Sequence, residues 1–347
     1  MKHVVYALLI LVFVSCKQTS ESKAIHFNQV TVEPILQDST LSIRAIDILD
    51  DGNLAFAANN GVFGLYDVKK KRWQTAFQNY DTLRPQFRAI AHTKTDFFML
   101  SVDSPALLYK TGAFGSMTLV YREKGEGVFY DAMAFWNDQE GIAIGDSVDG
   151  CISIILTRDG GNNWSKPHCD NLPQGLPDEG AFAASNTNIA IIGDETWVAT
   201  NTGRIYYSPD KGHSWQVRDT PIVKEKPTEG IYSVAFYDAQ NGFAIGGDYT
   251  NPDGKAKNKI RTEDGGKTWN IVAPNLNPGY RSCVQYIPDS EALGLVAVGF
   301  KGIDLSSDAG DTWKHLSDKG FYTIRFINDH EAFAAGQGGI SKLTFKK

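Results

Sequence analysis

Five carboxylates in this chain could do acid–base work: Asp131, Asp146, Glu179, Glu229 and Asp248. Each stands near the start of an alternating apolar run, or in the loop after the run that follows, so the backbone could bring them to one end of a set of strands. Two acids about 5–10 Å apart across a sugar are the machinery of glycoside hydrolysis: one protonates the leaving oxygen while the other attacks or activates water. On that chemistry Asp131, Glu179 and Glu229 are the catalytic candidates. Arg44, Arg88, Arg281 and Tyr322 occupy corresponding places, and three arginines with several carboxylates around one opening are more than a featureless surface requires, which suits binding of a ligand or partner. The same charges could instead pair with one another and simply hold strands around a wet channel.

Other chemistries leave less trace. The chain has no Gly-x-Gly-x-x-Gly between a strand and a helix, no Cys-x-x-Cys and no Cys-x-x-Cys-His, so neither a cofactor nor a metal is expected. Lys and Arg number 34 against 40 Asp and Glu, a net charge of −6, which gives no general attraction to nucleic acid. Cys151 and Cys169 lie at equal distances on either side of Gly160, so a hairpin centred there would bring the two thiols together. Either a disulfide or two packed apolar thiols would satisfy that placement. Cys283, inside an apolar run, reads as a small hydrophobe.

The elements that must position these residues announce themselves as a repeat. "TRDGGNNW", "SPDKGHSW", "TEDGGKTW" and "SSDAGDTW" share one form, Ser/Thr-x-Asp-x-Gly-x-(Ser/Thr/Asn)-Trp, with their tryptophans 51, 54 and 44 residues apart. In each, the acid (Asp159, Asp210, Asp264, Asp308) can accept backbone N–H bonds across a turn, the glycine (Gly161, Gly212, Gly266, Gly310) supplies a positive φ, and the indole (Trp164, Trp215, Trp269, Trp313) packs on the neighbouring unit. Only one carboxylate position is shared by all four copies, too few for a calcium loop, which needs about six or seven oxygens. The phrase resembles the Asp-box, or BNR repeat, of sialidases and many other β-propellers.

Around each phrase the same succession of short strands returns. Two earlier units, 42–77 and 87–121, keep the succession without a proper box, and units over 129–168, 181–219, 231–273 and 282–317 are followed by a three-strand tail at 321–345. The expectation is an all-β, seven-bladed propeller with four-stranded blades. The segment 24–34, with Val30 and Val32 in alternation, would supply the missing strand by pairing with Ile340–Phe345. In such a ring the starts of the inner strands share a face with the loops after the second strands, and the box turns lie on the opposite face. Arg44, Arg88, Asp131, Asp146, Glu179, Glu229, Asp248, Arg281 and Tyr322 would then rim one funnel. The loop 249–259, with Lys255, Lys257 and Lys259, would either overhang it as a basic lid or stand as a solvated hairpin extension.

Phrases beyond the boxes, among them "SIRAIDIL", "FYDAMAFW", "IGDSVDG", "GAFAASNTN", "EGIYSVAF", "GYRSCVQY" and "AVGFKGIDLSSDAGDTW", resemble bacterial seven-bladed BNR propellers related to the photosystem II stability/assembly factor. That resemblance covers nearly the whole chain after its first residues. It implies a binding or assembly scaffold; the "oxidoreductase" label often attached to such lipoproteins brings no residue that could carry electrons. A sialidase-like hydrolase is the alternative, although "SIRAID" lacks the proline of the sialidase start and no Tyr–Glu nucleophile pair can be assigned.

"MKHVVYALLILVFVSC" has a basic start, an apolar run too short to span a bilayer, and a small residue before Cys16. It resembles a lipoprotein signal, so residues 1–16 are expected to be a signal peptide with Cys16 lipidated, 17–23 a polar tether, and 24–347 a single propeller domain. Lys17 after the cysteine suits sorting to the outer membrane. The expected protein is thus exported, lipid-anchored to the cell envelope and monomeric. It touches the membrane only through that lipid, and binds an envelope protein or a small or glycan ligand.

Overall fold

Short runs rich in Ile, Val, Ala and Phe, each closed by a glycine or a polar turn, form the strands of this protein, and consecutive runs pair as antiparallel neighbours. The structure, a computed structural model, describes residues 27–347. Its strands make seven sheets set around an axis. The innermost strands are Ala45–Ile48, Phe87–His92, Tyr130–Phe135, Ile189–Ile192, Ile231–Phe236, Cys283–Tyr286 and Thr323–Phe326. Each abuts the next, and the last abuts the first, so the ring is closed and the fold is a seven-bladed propeller. Apolar residues on the facing sheets fill the spaces between blades, as where Phe98 and Leu100 of blade two meet Met133, Ala143 and Trp164 of blade three.

Blades one, two, four, five and six have four strands each. In blade three the outermost strand shrinks to a bridge between Leu156 and Ser165. Cys151, which opens the third strand of that blade, forms a disulfide with Cys169, while Cys283 is a free thiol with no exposed surface. Blade seven joins the two ends of the described chain. The strand Gln29–Ser42 pairs with Glu331–Lys346, Val30 opposite Phe345 and Leu36 opposite Ile340, and Glu331–Lys346 itself bends back at Gln337–Gly339 so that the Phe345 amide donates to the His330 carbonyl. Three elements therefore provide four strands. The closing strand meets the predicted partner residues but runs on to Ser42, past the predicted limit of 34, because Leu36 and Ile35 also pack beside Ile340 and Phe333.

The two faces are distinguishable by their hydrogen bonds. Each of the four box turns bonds to the loop joining the first two strands of its own blade: Gly160 to Gln139, Lys211 to Asp194, Gly265 to Gln240 and Ala309 to Leu293. Within a turn the acid does local work, as where Asp159 Oδ1 accepts from the Asn162 and Asn163 amides at 3.0 and 2.9 Å. Gly161 has a φ of +75°, and a Cβ there would stand 2.2 Å from the Phe98 ring, so the position excludes any side chain. The opposite face carries the starts of the inner strands and the loops after the second strands, tied together by bonds such as Gly61 to Pro85, Ser147 to Glu179 and Tyr280 to Pro252.

Blade four departs from the expected pattern. Its inner strand is Ile189–Ile192 rather than a run beginning near 181, because the residues before it are drawn across the ring axis. Ser185 Oγ donates to the Ser282 carbonyl at 2.7 Å, Thr323 Oγ1 donates to the Ser185 carbonyl at 3.0 Å, and Thr187 Oγ1 donates to Ser233 Oγ at 2.8 Å. Asn186 donates from Nδ2 to the Ile90 carbonyl at 2.8 Å and accepts from the Met133 amide at 2.9 Å. With Arg44 donating to the Ala184 carbonyl at 3.4 Å, four consecutive residues touch the inner rim of every other blade. They plug the channel.

Candidate functional site

The plug divides the axis into a charged mouth on one side and a well on the other. At the mouth the structure gathers Arg44, Arg88, Asp131, Asp146 and Tyr322, each from the start of an inner strand or an adjoining loop. Arg44 lies over the Tyr322 ring, 4.1 Å from its centre. Burial, then the neighbouring charge of Arg44, pushes the Arg88 pKa down, against the attraction of Asp103 and Asp131. Neither Arg44 nor Arg88 has a carboxylate within ion-pair distance among the described residues.

Asp131 is wholly buried and, among the described residues, neither carboxyl oxygen has a hydrogen-bond partner; the amides of Ala181 and Ala183 approach it without forming an aligned bond. Burial first, then the charge of Asp146, raises its pKa well above the usual carboxylate range. Asp146 is partly exposed, and burial pushes its pKa up to about 6 against the help of the Ala181 amide. Gly180 permits this approach, since a Cβ there would fall 1.8 Å from Asp146 Oδ1. Around the acids stand aromatic rings that sequence reasoning left out. Phe182 and Tyr232 stack with centres 3.7 Å apart, Tyr280 meets Tyr232 edge-on at 4.7 Å, and Tyr249 and Phe300 continue the row to solvent, 48% and 43% exposed. Their signal was present in "GAFAASNTN" and "GYRSCVQY", but only the plug shows that they converge.

The remaining predicted funnel residues are fasteners. Glu179 has no exposed surface and its carboxylate receives Arg204, Tyr206, Thr200, Thr202 and the Leu176 amide, Arg204 Nε at 3.0 Å. Burial alone would raise its pKa, but these donors outweigh it and hold it below the ordinary value. Glu229 accepts the Glu225 and Lys226 amides at 2.7 and 3.2 Å and closes its own loop. Asp248 does the same for Thr250, whose hydroxyl donates at 2.6 Å and keeps the carboxylate well below its usual range, with Lys226 at 3.3 Å. Arg281 pairs with buried Asp304 at 2.6 Å. In the 249–259 loop, Lys259 is not a lid residue: its Nζ is buried against the carbonyls of Leu276 and Pro278 and the Asn258 side chain, and burial lowers its pKa to about 7. That loop bonds sideways to the approach to blade six, through Tyr280 to Pro252 and Asn275 to Lys255.

On the box side the plug forms the floor of an axial well of about 600 Å³. His92 and Asp47 meet on its wall, 2.7 Å apart, and the Asp47 carboxylate raises the His92 pKa despite burial. Arg325 spans the floor, donating to Thr323 Oγ1 and to the Ile324, Ser185 and Asn186 carbonyls. None of these was singled out from sequence, because they sit at the far ends of the inner strands. Among the described residues no group of three His, Cys, Asp or Glu is placed to hold a metal ion.

No protein-family model matches the chain, and no curated protein matches it. Its fold is shared with solved structures. A structure described as YCF48 bound to D1 peptide matches with a TM-score of 0.65 at 14% identity, over 93% of this chain and 99% of that one. YCF48 from Cyanidioschyzon merolae matches at 0.63 and 13%, over 92% and 98%. The GH74 enzyme of Niastella koreensis matches at 0.63 and 14%, over 89% of this chain but 53% of the enzyme, so this chain spans about half of that protein. At these identities the likeness shows the seven-bladed architecture alone.

Proposed function

We propose that this protein is an envelope-anchored binding scaffold whose mouth holds an acidic or carboxylate-bearing segment of another protein. One observation carries the reading: Arg44 and Arg88 stand half-buried at one end of the ring axis, beside aromatic rings and, among the described residues, without a carboxylate partner within ion-pair distance. A guest carboxylate would supply the missing counter-charge, and the row from Phe182 to Phe300 would cover an extended backbone or apolar side chain. The YCF48 structure solved with a D1 peptide supports peptide binding as a use of this architecture. Hydrolysis finds less support. Asp131, the best acid by its raised pKa, has no surface that a glycosidic oxygen could reach, and Glu179 and Glu229 have their carboxylates occupied.

The signal, Cys16 and the tether lie outside the described residues. Phe27 packs on Phe345 at the box-face end of blade seven, so a tether from a lipidated Cys16 would leave from that face, within about 40 Å of the bilayer at full extension. The charged mouth would then point away from the membrane. The test is site-specific photocrosslinking from position 322 in whole cells, with and without Arg44→Gln and Arg88→Gln. A partner whose yield falls about tenfold or more in the double variant supports the reading; equal yields from both proteins sink it. Diacylglycerol on Cys16, read by mass spectrometry of the N-terminal peptide, tests the anchor.

A further inference from the structure

Four of the spaces between blades on the box face are filled in one manner. The box glycine of the following blade lies on a large side chain of the preceding one: Gly161 on Phe98, Gly212 on Trp136 and Leu156, Gly266 on Trp197, and Gly310 on Phe243. A cation of the preceding blade then clasps a turn carbonyl. Lys110 donates to Gly160 at 2.9 Å, Arg158 to Lys211 at 2.6 Å, Arg218 to Gly265 at 2.9 Å and Arg261 to Ala309 at 3.0 Å.

Between blades one and two all three parts are missing. Blade two has a short turn around Ala113–Gly115 where the box would be. The register that places Phe98 opposite Ala91 and Phe243 opposite Ala235 places Ala55 opposite Asp47. The residue paired with Ala55 is Leu65, where Phe98 pairs with Lys110 and Phe243 with Arg261. The result is an open slot of about 570 Å³, lined by Leu49, Ala55, Phe63, Leu65, Phe97 and Met117. Its rim carries Asp50, Asp51 and Asp96. Among the described residues Lys94 is the one lysine lining the slot and turns to Asp138 at 3.4 Å, and Asp50 and Asp51 have no lysine or arginine partner.

We infer that this slot is a second docking site, which receives a tryptophan side chain next to a lysine or arginine on another protein. The partner thereby supplies the turn that blade two lacks. The slot has room for an indole and an apolar lining like that of the equivalent spaces, where the box indoles pack on the preceding blade, Trp164 on Phe98 and Trp313 on Phe243, and the acidic rim selects the adjoining cation. A second copy of this chain is a poor occupant, because none of its tryptophans is exposed among the described residues. The site lies on the face opposite Arg44 and Arg88, so it is independent of the mouth.

The test uses the full chain in detergent and the probe acetyl-Gly-Gly-Lys-Thr-Trp-amide, which repeats residues 265–269. Binding is followed by calorimetry and by the methyl signals of ¹³C-labelled methionine. The expected result is saturable binding that shifts Met117 upfield by ring current while Met99 and Met133 hold still. Affinity should fall at least tenfold when the probe's tryptophan is replaced by alanine, or in Ala55→Phe, which installs the side chain already found in blades two and five. Asp50→Asn with Asp51→Asn should weaken it about threefold and flatten its salt dependence, and Arg44→Gln with Arg88→Gln should leave it unchanged. A shift at Met133, which lines the axial well, would overturn the assignment. So would undiminished binding in Ala55→Phe, no binding at 1 mM (an order-of-magnitude ceiling for one buried side chain), or self-association abolished by that variant.

Discussion

Asn186 is the residue on which the plug can be tested most sharply. Its side chain bridges blades two and three through two hydrogen bonds, to the Ile90 carbonyl and from the Met133 amide. Truncation to alanine leaves both backbone groups without partners, at about 1–3 kcal/mol each. The axial well reaches Ile90, Met133 and Asn186, so water can replace part of what is lost, and the lower end applies: about 2–3 kcal/mol for the two. A second term comes from the backbone. Asn186 has a φ of +56°, which asparagine tolerates and alanine does not, adding about 1 kcal/mol. Asn186→Ala should therefore cost about 3–4 kcal/mol, and Asn186→Gly about 1 kcal/mol less. Urea denaturation followed by tryptophan fluorescence measures both, and hydrogen exchange at the Met133 amide reports the broken bond directly. An alanine variant within 0.5 kcal/mol of the parent (less than one hydrogen bond), or a glycine variant less stable than the alanine one, would refute the account of the plug.

Two further outcomes follow from the charges. Asp146 has a folded pKa of about 6, above the unfolded value near 4, so the folded state binds the extra proton between them; its contribution is most favourable below pH 4 and is lost as pH rises through 6. Asp146→Asn should gain on the parent by at most about 3 kcal/mol between pH 4 and 7.5, and parallel stability curves would contradict this. Arg281→Met leaves Asp304, 1% exposed, uncompensated except by His315, and should cost about 3–5 kcal/mol in urea denaturation, whereas Lys70→Met at the exposed Asp67 pair should cost less than about 0.5 kcal/mol.

The residues most legible in the sequence are those whose partners lie within a few positions. Asp159 bonds the amides of Asn162 and Asn163, and Asp264, Asp210 and Asp308 repeat the pattern, so the turn is written in consecutive letters. The closing strand was legible for a different reason: a three-strand tail needs a cover, and Val30 and Val32 offered one. The funnel was harder. Arg44, Arg88, Asp131, Asp146 and Tyr322 do come together, but Glu179 and Arg281 do not join them, because each meets an opposite charge more than twenty residues away, Arg204 and Asp304. Nothing local distinguishes a carboxylate that will be paired from one that will not.

Sequence by itself determined the repeat, its period, the turns and the strand that closes the ring, because alternation and short-range hydrogen bonds act within one blade. Tertiary structure alone decided that Ala184–Thr187 crosses the axis, that the open well lies on the box side, and that Ala55 faces a missing turn. Those outcomes depend on the radius of a closed ring and on what each blade presents to the next, quantities that exist only once all seven blades are in place.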